Sequence, residues 1–258
     1  MPASIKLQEE LGEDLQVIFV ESQNTPPEDT ERFILQHKWM GGRSMWTNER
    51  PVQVNTKGLP SYALISSDGK MLSEGNHISK AVKEMIAAEI EAGKEGPEGT
   101  PKAVQKAWKD YAKGKLAKAL KTATKLREKP ELAAAAEEAI ETFMERTNTR
   151  IEALVWRSEN GYLAEALDGL DSMESEVKGV PELEGRVSEL KDKWEGDDLK
   201  AEREASQELS RFLEKLYADG YDKKGRFEKG IAKLVEKHAG TKAGERAAHI
   251  AKLAPTDH

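Results

Sequence analysis

The chain has 258 residues, with 40 Lys and Arg against 47 Asp and Glu, a formal net charge of −7, and no cysteine. These residues therefore cannot form disulfides, thiolate zinc sites, iron–sulfur clusters or a cysteine nucleophile. The acidic balance argues against nucleic-acid binding, which needs a basic surface. With 38% hydrophobic and 34% charged residues, the composition is polar but that of a folded protein.

The N-terminus does not predict an export signal. Its first ten residues have neither a basic start followed by an apolar run nor a small-residue cleavage site. Apolar runs such as residues 17–20 are far short of the roughly 20 residues that span a bilayer. We expect a soluble protein, cytoplasmic as written, or an exported one if a native signal-bearing N-terminus precedes Met1.

Helical and extended patterns alternate in the first third of the chain. The predicted elements are a helix over 4–11, a strand over 15–21, a helix over 27–39, a strand over 59–66, a return strand from 71 and a helix over 78–90. The apolar run at 17–20 is typical of a strand buried on both faces. The pair Asp68-Gly69 predicts a hairpin turn. The periodicity places Phe33 and Met85 on the inner sides of their helices.

The composition changes near Gly93. The segment 93–101 holds three glycines and two prolines, which cannot continue a helix or a central strand. It is predicted as the linker between a first domain, 1–92, and an all-helical domain, 102–254. In the second domain, helix breaks are predicted at Gly114, Pro130, Asn148, Gly161, Pro181, Gly196, Gly220 and Gly240.

Two segments of the helical domain look alike. Gly114–Leu120 and Gly161–Leu167 each place a glycine at the start of a helix that repeats Leu and Ala, 47 residues apart. The spacing suits a helical-repeat array such as the tetratricopeptide type, although Ala-rich sequence also produces such matches by chance. Helix lengths favour a compact bundle or short solenoid over a long coiled coil.

Three stretches of the first domain carry a resemblance to a known family. They are 2–20, a helix ending in Glu10-Leu11-Gly12 and running into a strand; 58–65, Gly-Leu-Pro-Ser-Tyr-Ala-Leu-Ile; and 67–75, a hairpin around Asp68-Gly69. In this order and spacing they resemble the thioredoxin-like fold, in the branch of thiol–disulfide oxidoreductases and peroxiredoxin-like proteins. The resemblance covers residues 2–92 and leaves the helical domain unassigned.

The departure from that family concerns its chemistry. The family has a strand and a Cys-x-x-Cys motif before the helix that begins here near Pro2, and this chain has neither thiol. The expected fold is thus an α/β thioredoxin-like domain with an incomplete sheet, followed by the all-α domain. The resemblance implies a protein-interaction module without catalytic residues; the alternative is an oxidoreductase whose catalytic strand and motif are missing from this chain.

The absent strand would be the central one of the family's sheet. Its loss leaves the strand near 17–20 and the strand near 62–66 facing a gap. We expect the gap to be bridged by direct pairing, to be bridged by another segment such as Pro51–Val54, or to stay open. An unpaired buried backbone group costs about 1–3 kcal/mol.

The residues expected to face a partner are Leu59, Pro60, Ser61 and Trp46. The resemblance implies a cis peptide bond before Pro60 and an adjacent loop that presents backbone to an extended peptide; otherwise Pro60 is a trans-proline opening an edge strand. Trp39 and Trp46 flank Gly41-Gly42, which suggests either a partner-binding loop or a lid packed on the domain. The expected partner is a protein or extended peptide.

The sequence predicts no metal site, cofactor or catalytic group. No two of the five histidines are three or four residues apart, and His37 and His77 are predicted at helix ends. The acidic clusters are interpreted as solvent-exposed helix surfaces. No serine lies in a nucleophile-elbow motif. A third hypothesis is that the helical domain alone binds the partner.

Overall fold

The computed structural model describes residues 2–37, 45–47, 49, 52–66, 69–219 and 225–253. The chain forms two compact units, Met1–Gly93 and Lys94–His258. The first mixes helices with short strands, and the second is helical throughout its described part. No helix among the described residues combines the length and apolar character needed to cross a membrane.

The first unit contains three α-helices and four strands in its described residues. In chain order they are α1 Pro2–Leu11, β1 Ile18–Val20, α2 Pro27–Gln36, β2 Met45–Thr47, β3 Tyr62–Ile65, β4 Met71–Gly75 and α3 Lys80–Gly93, with a 3₁₀ turn Gly12–Asp14 after α1. The predicted helices and the hairpin strands are thus present. Helix α2 ends earlier than predicted, with His37 as its C-cap.

The strands form two separate two-stranded sheets. Strand β1 pairs in parallel with β2, with Phe19 opposite Trp46. Strand β3 pairs with β4 in antiparallel fashion, with Tyr62 opposite Gly75. Among the described residues no strand joins the two sheets, and 52–54 lie in no strand. Of the three outcomes expected for the gap, the open one is observed there.

Burial corrects three sequence predictions. Strand β1 is not buried on both faces: Phe19 is buried, whereas Ile18 is 52% exposed and Val20 is also exposed. Successive strand residues point to opposite faces, and only the face of Phe19 is covered. Phe33 is 48% exposed and Met85 is exposed, because α2 and α3 turn neighbouring apolar residues toward the core instead.

The core of the first unit is formed by helices α1 and α3 together with strand β3. Leu7 of α1 packs with Val82 and Ile86 of α3, and the partly buried Tyr62 and Leu64 of β3 pack against them. Helix α1 also reaches the segment before β1, since Gln8 Oε1 accepts a hydrogen bond from the Val17 backbone N–H. These contacts fix the position of β3 and of the loop that precedes it.

The second unit contains eight α-helices in its described residues. They are α4 Lys102–Tyr111, α5 Leu116–Arg127, α6 Ala133–Glu159, α7 Leu163–Val177, α8 Pro181–Glu195, α9 Lys200–Asp219, α10 Arg226–Lys237 and α11 Lys242–Lys252, with a 3₁₀ turn Asp197–Leu199 before α9. The break predicted at Asn148 is wrong, because α6 runs through it. Asn148 Oδ1 instead accepts a hydrogen bond from Arg186 Nη1 at 2.8 Å. Gly220 lies outside the described residues.

The helices pack largely in chain order, with most helices in contact with their neighbours along the chain. Helices α4 to α8 contact one another in succession. In addition, α5 packs against α7, α7 against α9, and α9 against α11. In the core, the Trp108 and Phe143 rings meet edge to face at 4.9 Å between centroids. The predicted linker also packs here, since Lys109 Nζ lies 2.7 Å from Glu95 Oε1.

The two glycine segments that looked alike end one helix and begin the next in the same manner. Gly114 and Gly161 have φ values of 69° and 80°, conformations that favour glycine. The following N–H groups close equivalent turns, Lys115 N to Asp110 O at 3.0 Å and Tyr162 N to Arg157 O at 2.9 Å. Each glycine thus precedes its helix by two residues rather than starting it.

Candidate functional site

The loop before β3 presents three of the four residues predicted to face a partner. Leu59 is 56% exposed, Pro60 is exposed and Ser61 is half-buried. The Leu59–Pro60 peptide bond is cis, as predicted. The φ of Gly58 is 89°, a conformation that an L-residue rarely adopts, so a glycine is required at this turn.

Asn76 holds both sides of this loop. Its side-chain Nδ2 donates to the Gly58 carbonyl at 2.9 Å and to the Pro60 carbonyl at 3.0 Å. The two acceptors flank Leu59, so one amide group fixes the backbone on either side of the exposed leucine. The sequence offered no signal for this role, because Asn76 follows β4 and reaches back across 16 and 18 residues.

The hairpin behind the loop is well anchored. The Ser66 N–H donates to the Lys70 carbonyl at 2.9 Å, and the Lys70 N–H donates to Ser66 Oγ at 3.0 Å. The Tyr62 and Ser73 hydroxyls are 3.0 Å apart across the strands. Ser67 and Asp68 of the predicted turn lie outside the described residues, and Gly69 has a φ of 83°. The hairpin therefore supports the loop from a fixed position.

Apolar side chains are exposed at the far end of the same hairpin. Ile65 and Met71 are cross-strand partners, and they are 43% and 44% exposed. Strand β3 pairs only with β4 within the described part of the chain, so its second edge carries unpaired backbone groups. Strand β1 is likewise paired only with β2 there. Exposed apolar residues beside an open edge are features of a strand that can accept another extended chain.

Trp46, the fourth predicted residue, does not share this loop. It lies half-buried in β2, a strand that the sequence analysis missed, where it is paired with Phe19 of β1. Residues 38–44, which include Trp39 and the Gly41-Gly42 pair, lie outside the described residues. Trp46 is thus separated from Leu59, Pro60 and Ser61 by its place in the other sheet.

Glu21 and Glu74 of this unit accept hydrogen bonds from nearby backbone groups. Burial favours a higher pKa for Glu21, but hydrogen bonds from the Gln23 N–H and the Thr25 hydroxyl outweigh it and lower the pKa. Asn55 N–H donates to Glu74 Oε2 at 2.9 Å beside the hairpin. Throughout the described ranges, no group of three His, Asp or Glu side chains is placed to hold a metal ion.

The loop and the hairpin bring together groups that can contact an extended chain. They are an exposed leucine, backbone carbonyls held by Asn76 and the edge of β3 that no described strand pairs with. The chain holds no cysteine that could take part in thiol–disulfide exchange. A scan of family models, a search of curated proteins and a search of solved structures each returned no match to this chain.

Proposed function

We propose that the first unit is a thioredoxin-like module without redox cysteines that binds an extended segment of a partner protein at the loop 58–61. The observation that carries the proposal is the pair of hydrogen bonds from Asn76 to the Gly58 and Pro60 carbonyls. They hold the loop in one conformation while Leu59 is left exposed. A preorganised backbone loses little conformational entropy on binding, which favours affinity.

The free edge of β3 favours an extended partner over a helical one. An extended peptide that adds to a sheet edge gains main-chain hydrogen bonds, and its alternate side chains contact the sheet surface. Ile65 and Met71 provide an apolar surface for such side chains. The peptide would thus contact Leu59 at one end of β3 and this apolar pair at the other.

The order of elements supports the thioredoxin-like part of the proposal. Helix α1, strand β1 and helix α2 are followed, after the short strand β2, by the β3–β4 hairpin and helix α3, with α1 and α3 packed against β3. The departures are strand β2 and the division into two small sheets. The alternative function, a thiol–disulfide oxidoreductase, would require cysteines outside these 258 residues.

A peptide selection on the full chain tests the proposal. Random peptides displayed on phage are selected against the immobilised protein, and the enriched peptides are synthesised with a fluorophore. Their affinity is then measured by fluorescence anisotropy for the wild type, Leu59→Asp and Asn76→Ala. We expect each variant to lose at least about tenfold in affinity, which corresponds to about 1.4 kcal/mol or more. Leu59→Asp removes the apolar surface that the peptide buries, and Asn76→Ala removes the hydrogen bonds that preorganise the loop.

Met85→Asp is the matched control, because Met85 is an exposed apolar residue on α3 of the same unit. It should bind the selected peptides as the wild type does. The proposal is contradicted if the selection enriches no peptide, or if Leu59→Asp and Met85→Asp bind equally well.

A further inference from the structure

An open cleft lies between α9 and α10 in the second unit, with a volume of about 460 Å³. Each helix lines it with a stripe of four residues at the spacing i, i+3, i+4, i+7, which places them on one helix face. The stripes are Glu208, Arg211, Phe212 and Lys215 on α9, and Gly230, Lys233, Leu234 and Lys237 on α10. Neither stripe was singled out from the sequence, although the spacing is readable there.

The floor of the cleft is apolar. Phe212 and Leu234 form it, and Gly230 allows the Phe212 ring to lie against the backbone of α10. A Cβ atom at position 230 would lie only 2.3 Å from Phe212 Cε2, so a larger residue would displace the ring. Phe212 is supported from behind by Phe227, with 6.0 Å between ring centroids.

The rim of the cleft is basic. Arg211, Lys215 and Lys233 line it, and none of the three forms an ion pair with another residue that the structure describes. Their positive charge contrasts with the formal net charge of −7 for the whole chain. Three cations without a described counter-charge on two adjacent helix faces attract an anionic ligand.

The carboxylate among the lining residues is already engaged. Glu208 pairs with Lys237, and its Oε2 lies 2.9 Å from His238 Nε2. This group closes one end of the cleft with little net charge, so it does not cancel the three remaining cations. A ligand in the cleft would therefore meet positive charge along both rims and apolar carbon beneath.

We infer that this cleft binds an acidic amphipathic segment of a partner protein, with apolar side chains against Phe212 and Leu234 and carboxylates toward Arg211, Lys215 and Lys233. The stripes span seven residues, about 10 Å along a helix, or two turns of a bound helical segment. The apolar floor favours such a segment over a small inorganic anion, and the formal net charge of −7 disfavours a nucleic-acid strand. This site is independent of the loop proposed in the first unit.

The probe is a fluorescein-labelled synthetic helical peptide of about three turns. It carries Leu at i, i+3, i+4 and i+7 and Glu on both flanks of that stripe. Anisotropy titration with the full chain should show saturable binding that weakens as salt is added. A peptide with Ser in place of Leu, and one with Lys in place of Glu, should each bind at least about tenfold more weakly.

Reversing the charge of two lining residues tests whether the peptide binds in the cleft. The double variant Arg211→Glu, Lys233→Glu should lose at least about tenfold in affinity for the acidic peptide. The control is Lys106→Glu, Lys121→Glu, two exposed lysines on α4 and α5 with the same change in net charge. Circular dichroism spectra and melting curves check that both double variants remain folded.

Any one of four results would overturn the inference. The first is an unchanged anisotropy of the acidic peptide up to about 1 mM protein, the affinity range of the weakest specific complexes. The second is equal binding of the peptide by the two double variants. The third is displacement of the peptide by a single-stranded oligonucleotide as efficiently as by the unlabelled peptide, which would assign the cleft to nucleic acid. The fourth is self-association of the wild type but not of the cleft variant in light scattering, which would assign the cleft to a second copy of this chain.

Discussion

The N-terminus of α11 depends on one buried carboxylate from α9. The first N–H groups of a helix have no partner within the helix. Glu202 accepts hydrogen bonds from the Lys242 N–H at 2.6 Å and the Ala243 N–H at 2.9 Å. The Thr241 hydroxyl accepts from the Gly244 N–H at 2.9 Å. Because Glu202 is only 8% exposed, water does not readily replace it.

Glu202→Gln tests this cap with little change in shape. The amide keeps one acceptor oxygen but turns an NH₂ group toward a backbone donor, so one of the two hydrogen bonds is lost. A hydrogen bond to a charged group contributes about 1.5–3 kcal/mol, and the favourable interaction of the negative charge with the helix dipole adds about 0.3–1 kcal/mol. We therefore expect the free energy of unfolding to fall by roughly 2–4 kcal/mol.

The assay is thermal unfolding of the full chain followed by far-ultraviolet circular dichroism. For a unit of this size, such a loss corresponds to a decrease in Tm of roughly 4–16 °C. Glu204→Gln is the control, since Glu204 is an exposed glutamate on the same helix. If the two variants melt at the same temperature, Glu202 does not stabilise α11 as the structure indicates.

Three further predictions concern stability. Gly185→Ala should stabilise the chain by about 0.5–1 kcal/mol, because nothing lies within 4 Å of the new Cβ atom. Gly169→Ala should not stabilise it, because the new Cβ atom would lie 2.4 Å from Leu154 Cδ2. Urea denaturation of both variants measures the two changes in stability. Burial raises the pKa of Tyr111, so its neutral form stabilises the fold fully below the ordinary value of 10.0. That stability is lost as the pH rises through the folded-state pKa, and Tyr111→Phe should reduce this alkaline loss in pH-dependent melting. Hydrogen bonds from its lysine and histidine partners hold the pKa of Glu208 below 4.5, so its contribution is present above that value and is lost as the pH falls through the folded-state pKa. Glu208→Gln should melt below the wild type near neutral pH and match it in acid.

The sequence predicted the helices well because their signals are local. Gly114, Gly161 and Pro181 mark helix ends at the positions observed, and each acts through its own backbone conformation. The helix break predicted at Asn148 was wrong because asparagine occurs both at helix ends and inside helices, where its side chain can bond to a distant residue. Only the neighbouring α8, which supplies Arg186, shows which role applies.

Burial and site geometry were predicted less well because they depend on distant residues. The apolar run at 17–20 cannot show that only Phe19 is covered, because the cover comes from other elements. Strand β2 is three residues long and is specified by its pairing with β1 rather than by its own pattern. The role of Asn76 depends on a contact with Gly58 across two strands. Such contacts leave no periodicity in the sequence.

Binding of an extended partner segment at the loop 58–61 and strand β3 can be followed through the backbone amides. Amide hydrogen exchange of the full chain is measured with and without a peptide selected on it. Amides that enter new main-chain hydrogen bonds exchange more slowly. We expect the peptide to slow exchange in residues 58–66 and to leave α4 to α8 unchanged. Protection confined to the helical unit, with residues 58–66 exchanging as in the free chain, would contradict it.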